Sequence, residues 1–146
     1  MDLLINTSTD PAFNLALEEL IAAEYPNEAV MLWRNAPAII VGKNQNTEAE
    51  INAEAVRSRG IRVVRRITGG GAVYHDWGNL NYTIVGCSED LERDYPEYAG
   101  LMMQALRKLG VSAELSGRND ILVEGKKVSG FAKRVSKNRL MVHGTL

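Results

Sequence analysis

The chain has 146 residues, of which 45% are hydrophobic and 24% are charged, and its formal net charge is −1. This length predicts one domain with a hydrophobic core and is too short for two domains of ordinary size. The near-neutral charge argues against a general nucleic-acid binder, and no apolar run approaches the ~20 residues of a transmembrane helix.

The N-terminus and the cysteine content favour the cytoplasm. Residues 1–6 lack the basic segment and the small-residue cleavage site of a signal peptide. Cys87 has no second cysteine with which to form an internal disulfide, which fits a reducing compartment. We therefore expect a cytoplasmic protein that binds neither membrane nor nucleic acid.

The first elements in chain order are a helix and two strands. Asp10 and Pro11 are typical of an N-cap and a first helical position, and apolar residues at helical spacing predict a helix that continues to about Tyr25. Two apolar runs follow, at 30–35 and 38–43, with a proline between them. They predict a β-hairpin.

The next segment predicts a second helix and two further strands. Thr47 and Glu50 have the spacing of a capping box, and Gly60 is a typical helix end. Apolar and alternating patterns then predict strands at 61–67 and 79–86.

A third helix and four strands complete the chain. Asp94 and Glu97 open the helix and Gly110 closes it. Its predicted core face consists of Tyr98, Leu101, Met102, Ala105, Leu106 and Leu109. The last predicted strands are 111–115, 121–124, 127–134 and 140–145. Several hairpins and few helical crossovers favour an α+β fold with a largely antiparallel or mixed sheet.

The most informative run places Arg65 and Arg66 directly before three glycines at 69–71. Glycines let backbone N–H groups approach a ligand, and arginine offsets phosphate charge. A tight turn is the alternative. The run is neither a P-loop nor a dinucleotide fingerprint, because the Gly-Lys-Ser/Thr ending is missing and a strand follows. Because a strand alternates its side chains, one arginine can enter a pocket while the other stays in solvent.

A second glycine-flanked loop carries Lys126 and Lys127. Alternation places Lys127 on the same face as Ser129, and Lys126 on the face of Val128 nearer the turn. We therefore predict that Lys127 is the site lysine, with a solvated hairpin tip as the alternative.

Other residues give weaker signals. Asp120 lies in a segment typical of an Asx turn and is also a candidate Mg²⁺ ligand. His75 and His143 lack the spacing of a zinc site. Cys87 ends an apolar strand and is more typical of a core residue than of a nucleophile.

Several motifs occur in an order typical of one family. Residues 65–79 read Arg-Arg-Ile-Thr-Gly-Gly-Gly-Ala-Val-Tyr-His-Asp-Trp-Gly-Asn. Gly-Arg-Asn-Asp at 117–120, Gly-Lys-Lys-Val-Ser-Gly at 125–130 and His-Gly-Thr-Leu at 143–146 follow, and Asn-Leu-Ala-Leu-Glu-Glu at 14–19 precedes them. Over almost its whole length the chain resembles the catalytic domain of the lipoate–protein ligase A family.

The resemblance implies a two-step ligase. ATP and lipoate, with Mg²⁺, would form lipoyl-AMP and pyrophosphate, and the lipoyl group would pass to an acceptor lysine. The implied acceptors are lipoyl domains of 2-oxoacid dehydrogenases and the glycine cleavage H protein. The implied fold is that of biotin and lipoate ligases, related to class II aminoacyl-tRNA synthetases. No tightly bound cofactor is implied.

The resemblance also implies roles for individual residues. Lys127 would be the catalytic residue that bridges the lipoyl carbonyl and the phosphate, and Asp120 would be a magnesium contact. Gly69 and Gly70, with Lys127, would receive lipoate. The implied ATP contacts are Arg66, Gly71, Ala72, Val73, Tyr74, Asn79 and Lys127.

The end of the chain departs from the family pattern. Family members continue past the His-Gly-Thr-Leu motif, so residues 1–146 would be a partial catalytic domain without an accessory C-terminal domain. A sheet interrupted after residues 140–143 should leave an exposed strand edge or apolar face. We therefore expect self-association or a partner chain.

Three other functions compete with ligation. An octanoyl or lipoyl transferase needs no ATP and passes the acyl group through a cysteine, for which Cys87 is the candidate. A biotin ligase would need a Gly-Arg-Gly-Arg loop, which is absent. A non-catalytic fragment would bind lipoate or nucleotide only. Glycines beside apolar strands favour a medium-chain acyl group with an apolar tail.

Overall fold

The computed structural model describes residues 1–87, 90–117 and 119–146, without the side chains of residues 91–95. The helices of this part are α1 (Pro11–Glu24), α2 (Thr47–Glu50), α3 (Ala53–Ser58) and α4 (Leu91–Lys108). The strands are β1 (Asp2–Ile5), β2 (Ala29–Trp33), β3 (Ala38–Val41), β4 (Arg62–Arg65), β5 (Val73–His75), β6 (Asn81–Cys87), β7 (Ala113–Ser116), β8 (Asp120–Val123), β9 (Lys126–Ser136) and β10 (Arg139–Thr145). The predicted role of Asp94 and the motif residue Arg118 lie outside the described residues.

Within the described ranges the strands form two mixed sheets. The larger sheet has seven strands in the order β1-β2-β6-β10-β9-β8-β7, and the smaller has three in the order β4-β3-β5. Among the strand pairs of the described residues, β1–β2 and β3–β4 are parallel and the others are antiparallel. The predicted α+β class with a mixed sheet is therefore confirmed.

Successive residues of the large sheet bury alternate side chains in two hydrophobic clusters. On one face, Ile84 and Val142 pack with Tyr98, Met102 and Leu106 of α4. The cluster on the other face joins α1 to strands of both sheets. Its residues are Leu15, Ile21, Met31, Trp33, Ala38, Ile40, Val85 and Met141. The large sheet therefore separates α4 from a layer formed by α1 and the small sheet.

The first helix begins as predicted. The Asp10 side chain accepts hydrogen bonds from the backbone N–H groups of Ala12 and Phe13, and Pro11 occupies the first turn, where no N–H is needed. Strand β1, which precedes it, was not predicted.

The predicted hairpin at 30–43 is wrong because β2 and β3 belong to different sheets. Between them the chain is held by α1 and by the segment before it: the Asn14 amide donates to the Arg34 carbonyl and to Asn35 Oδ1, and the Ala36 N–H donates to the Thr9 carbonyl. These bonds fix the segment that connects β2 in the large sheet to β3 in the small sheet. The run of apolar residues predicts both strands but not which partner each one takes.

The predicted helix over 47–60 is also wrong in detail. It consists of two short helices, and each has its own asparagine cap: Asn46 accepts from Glu48 N–H and Asn52 accepts from Ala55 N–H. Thr47 therefore lies inside α2 and is not the cap of one long helix. Two predicted core residues of the third helix are exposed: Ala105 in α4, and Leu109, which directly follows the end of α4.

The last strand is not an edge strand. β10 lies between β6 and β9 and pairs with both over its full length, and Leu140, Met141 and Val142 are almost fully buried. The expectation that residues 140–143 leave an open edge is therefore wrong, because strands earlier in the chain cover both sides of β10. The sheet ends instead at β1 and β7. In the part of the chain that is described, no helix is long and apolar enough to cross a membrane.

Candidate active site

A cleft of about 310 Å³ opens between the two sheets. We call residues 66–75, which border it on the side of the small sheet, the glycine wall, and residues 119–132, which border it on the β8–β9 side, the lysine wall. The predicted site residues that line the cleft are Arg66, Gly69, Gly70, Gly71, Ala72, Val73 and Lys127. Apolar side chains such as Leu15, Trp33 and Ile40 form much of the remaining lining.

Arg66 holds the glycine wall in shape. Its guanidinium is buried and donates to the Gly71 carbonyl at 2.7 Å, the Gly69 carbonyl at 3.0 Å, Thr68 Oγ1 at 3.1 Å and the Ile40 carbonyl at 3.3 Å. Burial lowers the pKa of Arg66, although the charge of Glu18 opposes this effect. Arg66 therefore directs the carbonyls of the glycine run towards itself.

The neighbouring Arg65 holds a different loop. It is exposed, and it donates to the carbonyls of Gly42 and Gln45 at 2.8 Å and to Thr47 Oγ1 at 2.6 Å. The two arginines do lie on opposite faces, as strand alternation predicts, but both are bonded to protein backbone.

Glycine is required where the two loops meet. A Cβ at Gly42 would lie 2.0 Å from the carbonyl oxygen of Gly70, and Gly70 itself has a φ of +104°. Among the described residues, no protein oxygen accepts from the N–H groups of Gly69, Gly70 or Gly71. The wall thus presents backbone donors while its carbonyls are bound behind it.

A buried network of hydrogen bonds between side chains supports the glycine wall on the side away from solvent. Thr68 Oγ1 lies 2.6 Å from His143 Nε2, and His143 Nδ1 lies 2.7 Å from Glu18 Oε1. Thr83 donates to the same carboxylate oxygen at 2.6 Å and accepts from Trp33 Nε1 at 2.9 Å. The Thr68 and Thr83 hydroxyls each contact two polar partners in this network, because Thr68 Oγ1 also accepts from Arg66, so the buried hydroxyls are satisfied.

His75, at the end of β5, is held as a neutral imidazole. Burial, together with the charges of Arg66 and His143, lowers the pKa of His75 to about 4. The Asn14 amide donates to Asn35 Oδ1, so the Asn35 amide donates to His75 Nδ1 at 3.1 Å. The proton of His75 therefore lies on Nε2, and the ring lines the cleft.

The lysine wall places one cation over the cleft. Lys127 Nζ lies 2.9 Å from Asp120 Oδ1, with 56% of the Lys127 side chain and 34% of the Asp120 side chain exposed. A Cβ at Gly130 would lie 3.1 Å from Lys127 Nζ, so the end of the lysine side chain passes directly over Gly130. Lys126 does not line the cleft.

The argument that put Lys127 and Ser129 on one face is wrong. A bulge in the β8–β9 pair leaves Val128 without a partner: Lys127 lies opposite Leu122, and Ser129 lies opposite Ile121. Ser129 consequently faces α4, where its hydroxyl lies 3.1 Å from that of Tyr82. The bulge itself turns Lys127 towards the cleft.

Other predicted site residues lie beside the cleft rather than in its lining. Tyr74 is half exposed, and the Asn79 amide donates to its carbonyl at 3.4 Å. Asp120 is paired with Lys127, which lines the cleft. In the described residues, no three His, Cys, Asp or Glu side chains lie close enough to hold a metal ion. The roles of these three residues remain predictions.

Cys87 lies away from the cleft, at the opposite end of β6 from the cleft residue Asn81. A seven-residue strand separates the two ends by roughly 20 Å. The Cys87 thiol accepts a hydrogen bond from Arg139 at 2.9 Å. This position gives no support to a thioester mechanism in the cleft.

Residue-by-residue reasoning missed the polar residues beneath the site. Glu18, Thr83 and His143 come from distant parts of the chain, so no local spacing links them. One signal was present: Asn14 and Glu18 lie at helical spacing on the same face of α1 as Leu15 and Ile21, and all four are buried. Polar residues on an apolar helix face require buried partners.

The chain is similar to proteins named as lipoate-protein ligases. A family model described as the lipoyl protein ligase A/B catalytic domain matches residues 10–146. The lipoate-protein ligase LplJ of Bacillus subtilis is 49% identical over 140 residues, which cover 94% of this chain and 42% of LplJ. The chain therefore spans less than half the length of this relative.

Solved structures give the same result. Plasmodium falciparum LipL1 in complex with lipoate is 32% identical, with a TM-score of 0.86 over 99% of this chain and 47% of that one. A lipoate-protein ligase A bound with ATP is 29% identical, with a TM-score of 0.89 over 99% and 65%.

A bi-partite lipoate protein ligase from Thermoplasma acidophilum, solved in a study with its E2 lipoyl domain, is also 29% identical, with a TM-score of 0.89 over 99% of this chain and 60% of that one. With the match of the family model over residues 10–146, the comparisons establish that this chain belongs to the lipoyl protein ligase A/B catalytic domain family.

Proposed function

We propose that this chain carries the site at which a lipoate–protein ligase joins lipoate to AMP at the expense of ATP and then transfers the lipoyl group to a protein lysine. The observation that carries the proposal is the pairing of the two walls. Unpaired backbone N–H groups of the glycine wall and the Lys127 ammonium border one cleft with an apolar lining.

This arrangement fits the charge problem of adenylation. A lipoate carboxylate and the triphosphate of ATP are both anionic, so their approach requires fixed donors and a cation. Glycine N–H groups bind phosphate oxygens in other nucleotide sites, and Lys127 lies where it could contact both the acyl oxygen and the α-phosphate. In this proposal Asp120 releases Lys127 when the ligand arrives, since their ion pair is largely exposed.

The remaining predicted residues have supporting roles. Arg66 acts on ATP chiefly by positioning Gly69 and Gly71, with which it shares hydrogen bonds. Tyr74 and Asn79 would contact the nucleoside at the outer edge of the glycine wall, and Asp120 would contact a Mg²⁺ ion brought by ATP. Gly69 and Gly70, with the apolar lining, would accommodate the acyl chain.

We also propose the wider context. The acceptor is a lipoyl domain, as in the E2 domain studied with the Thermoplasma ligase, with 2-oxoacid dehydrogenase lipoyl domains and the glycine cleavage H protein as the specific candidates. A cytoplasmic location, and self-association or a partner chain, are parts of the same proposal, and fractionation and light scattering would test them.

The direct test is lipoate-dependent exchange between ATP and labelled pyrophosphate. We expect exchange with lipoate and octanoate and none with biotin, whose polar ureido ring does not match the apolar lining. Exchange without any acid, or with biotin in preference to lipoate, would contradict the proposal. Acyl transfer to a lipoyl domain without ATP would instead support the transferase alternative.

A further inference from the structure

A loop outside the cleft touches the glycine wall at two points. Residues 42–47, which we call the bracing loop, lead from β3 into α2 and are not part of the cleft lining. The Lys43 N–H donates to the Thr68 carbonyl at 2.8 Å, and Gly42 packs directly against the Gly70 carbonyl. The bracing loop therefore acts on the contents of the cleft through the glycine wall.

Gly42 is fixed at both of its backbone groups. Its N–H donates to Gln45 Oε1 at 2.7 Å, and its carbonyl accepts from Arg65 at 2.8 Å and from the Gln45 N–H at 3.1 Å. Gly42 is also buried, and a Cβ built on it would lie 2.0 Å from the Gly70 carbonyl oxygen. Gly42 therefore presents a Cα hydrogen to that carbonyl at a distance that no side chain allows.

The position of the Gly70 carbonyl sets the direction of the next N–H group. The Gly70 C=O and the Gly71 N–H belong to one planar trans peptide, so they point in opposite directions. With the carbonyl held against Gly42, the Gly71 N–H points away from the bracing loop, and Gly71 itself lines the cleft. Gly42 thus determines where the Gly71 donor points.

Arg66 orients the two neighbouring peptides instead. It donates to the Gly69 carbonyl at 3.0 Å and to the Gly71 carbonyl at 2.7 Å. In the part of the chain that the structure describes, Arg66 makes no hydrogen bond to the Gly70 carbonyl. The peptide between Gly70 and Gly71 therefore depends on Gly42 for its orientation.

We propose that Gly42 is a positioning residue for ATP: it turns the Gly71 N–H towards a phosphate without contacting the nucleotide, and Gln45 and Arg65 hold it in place. The inference rests on the proposed function, because it assumes that N–H groups of the glycine wall bind the phosphates of ATP. A hydrogen bond weakens steeply as its angle departs from linearity, whereas an apolar acyl chain needs only space. Loss of the brace should therefore affect ATP more than lipoate.

The first test is Gly42→Ala, with the affinities for ATP and for lipoate measured by titration calorimetry on the 146-residue chain. Because the added methyl group displaces the Gly70 carbonyl, we expect ATP to bind about tenfold or more weakly and lipoate to stay within about threefold. Gly100→Ala in α4 is the matched control, since a Cβ there lies 3.8 Å from the nearest side chain, and it should keep both wild-type affinities.

Gln45→Met is a milder variant that leaves Gly42 in place. Methionine has nearly the same length as glutamine, but its thioether is only a weak acceptor for the Gly42 N–H. We expect ATP to bind about threefold to tenfold more weakly and lipoate to bind as in the wild type. If Gly42→Ala does not fold, Gln45→Met alone decides the inference.

Amide NMR spectra of the isotope-labelled chain give a readout of the donor itself. ATP should shift the Gly71 amide resonance of the wild type, and in Gln45→Met this resonance should already differ before ATP is added. A wild-type Gly71 resonance that ATP does not shift would overturn the role of its N–H.

The affinities separate this inference from the proposed function. Unchanged ATP affinity in Gly42→Ala, or in Gln45→Met if the first variant does not fold, would overturn the role of Gly42 while leaving the proposed function intact. An equal loss of ATP and lipoate affinity would also overturn it, because it would indicate general distortion of the cleft. Absence of ATP binding by the wild type would overturn both.

Discussion

The two walls of the cleft are built in opposite ways. In the glycine wall a buried arginine and a chain of buried polar residues fix the backbone, and the groups left over for a ligand are main-chain N–H donors. In the lysine wall the functional group is a long, half-exposed side chain whose partner is a partly exposed carboxylate. The donors of the glycine wall are rigid, whereas the cation of the lysine wall can change its partner. Mutations in the glycine wall should therefore lower both stability and activity, and mutations in the lysine wall should lower activity alone.

The largest effect is expected for Arg66→Ala. Loss of the buried guanidinium leaves the buried Ile40 carbonyl and the partly buried Gly69 and Gly71 carbonyls without their donor, which should lower the free energy of unfolding by about 3 kcal/mol. Adenylate formation should also disappear. Urea denaturation and pyrophosphate exchange would measure both quantities, and Arg66→Lys should rescue neither fully because one ammonium cannot replace the guanidinium fork.

Unchanged unfolding free energy in Arg66→Ala would contradict the claim that this residue is built into the wall. It would instead indicate an arginine whose main role is to contact ligand.

Lys127→Ala should show the reverse pattern. We expect kcat/KM for adenylate formation to fall. The fall should correspond to a loss of about 2–4 kcal/mol of transition-state stabilisation, comparable to the loss of one oxyanion-hole donor. The free energy of unfolding should change by about 0.5 kcal/mol or less, because the ion pair with Asp120 is exposed. Lys126→Ala, the adjacent control outside the cleft, should resemble the wild type in both measurements. Equal losses of activity in the two lysine variants would contradict the claim that the bulge directs Lys127, rather than Lys126, into the cleft.

The neutral His75 makes the glycine wall sensitive to acid. Its pKa is about 4 in the folded chain and about 6.5 when unfolded, so below pH 6.5 the unfolded state takes up a proton that the folded state does not. The free energy of unfolding should therefore fall as the pH drops from about 6.5 to 4, by roughly 3 kcal/mol in total. His75→Gln cannot titrate and should show a flatter profile in that window. Parallel profiles for both proteins would contradict the assignment.

The smallest effect is expected for Arg65→Ala. Its bonds to residues 42–47 are at the surface, so the free energy of unfolding should fall by only about 1 kcal/mol. Comparison with Arg66→Ala in the same denaturation experiment tests whether two consecutive arginines differ because of burial. Equal destabilisation by the two substitutions would refute that explanation.

The sequence predicts local features well and tertiary partners poorly. The Asp10 cap, the glycine run and the existence of β2 and β3 follow from short-range chemistry and are present. The sheet to which β3 belongs depends on the bond from Asn14 to Asn35 and on the bond from Ala36 to Thr9, which no local pattern reveals. Similarly, the bulge at Val128 inverts the strand alternation that was used to orient Lys127, and bulges have no fixed sequence signature outside glycine positions.

The candidate site shows the same division. Glycine and lysine motifs mark both walls, because their residue types are unusual at those spacings. The support beneath them is not marked, since Glu18, His143 and Thr68 meet only after the large sheet has formed.

The central claim is that both walls act on one ligand, and a stable lipoyl-adenylate analogue tests it most directly. If the cleft holds the acyl and nucleotide halves together, an analogue with a non-hydrolysable linkage should bind at least about 100-fold more tightly than lipoate or AMP alone. Calorimetric titration of the wild-type chain measures all three affinities under one set of conditions. An analogue that binds no more tightly than lipoate would mean that the two halves do not share this cleft, and the proposed mechanism would be wrong.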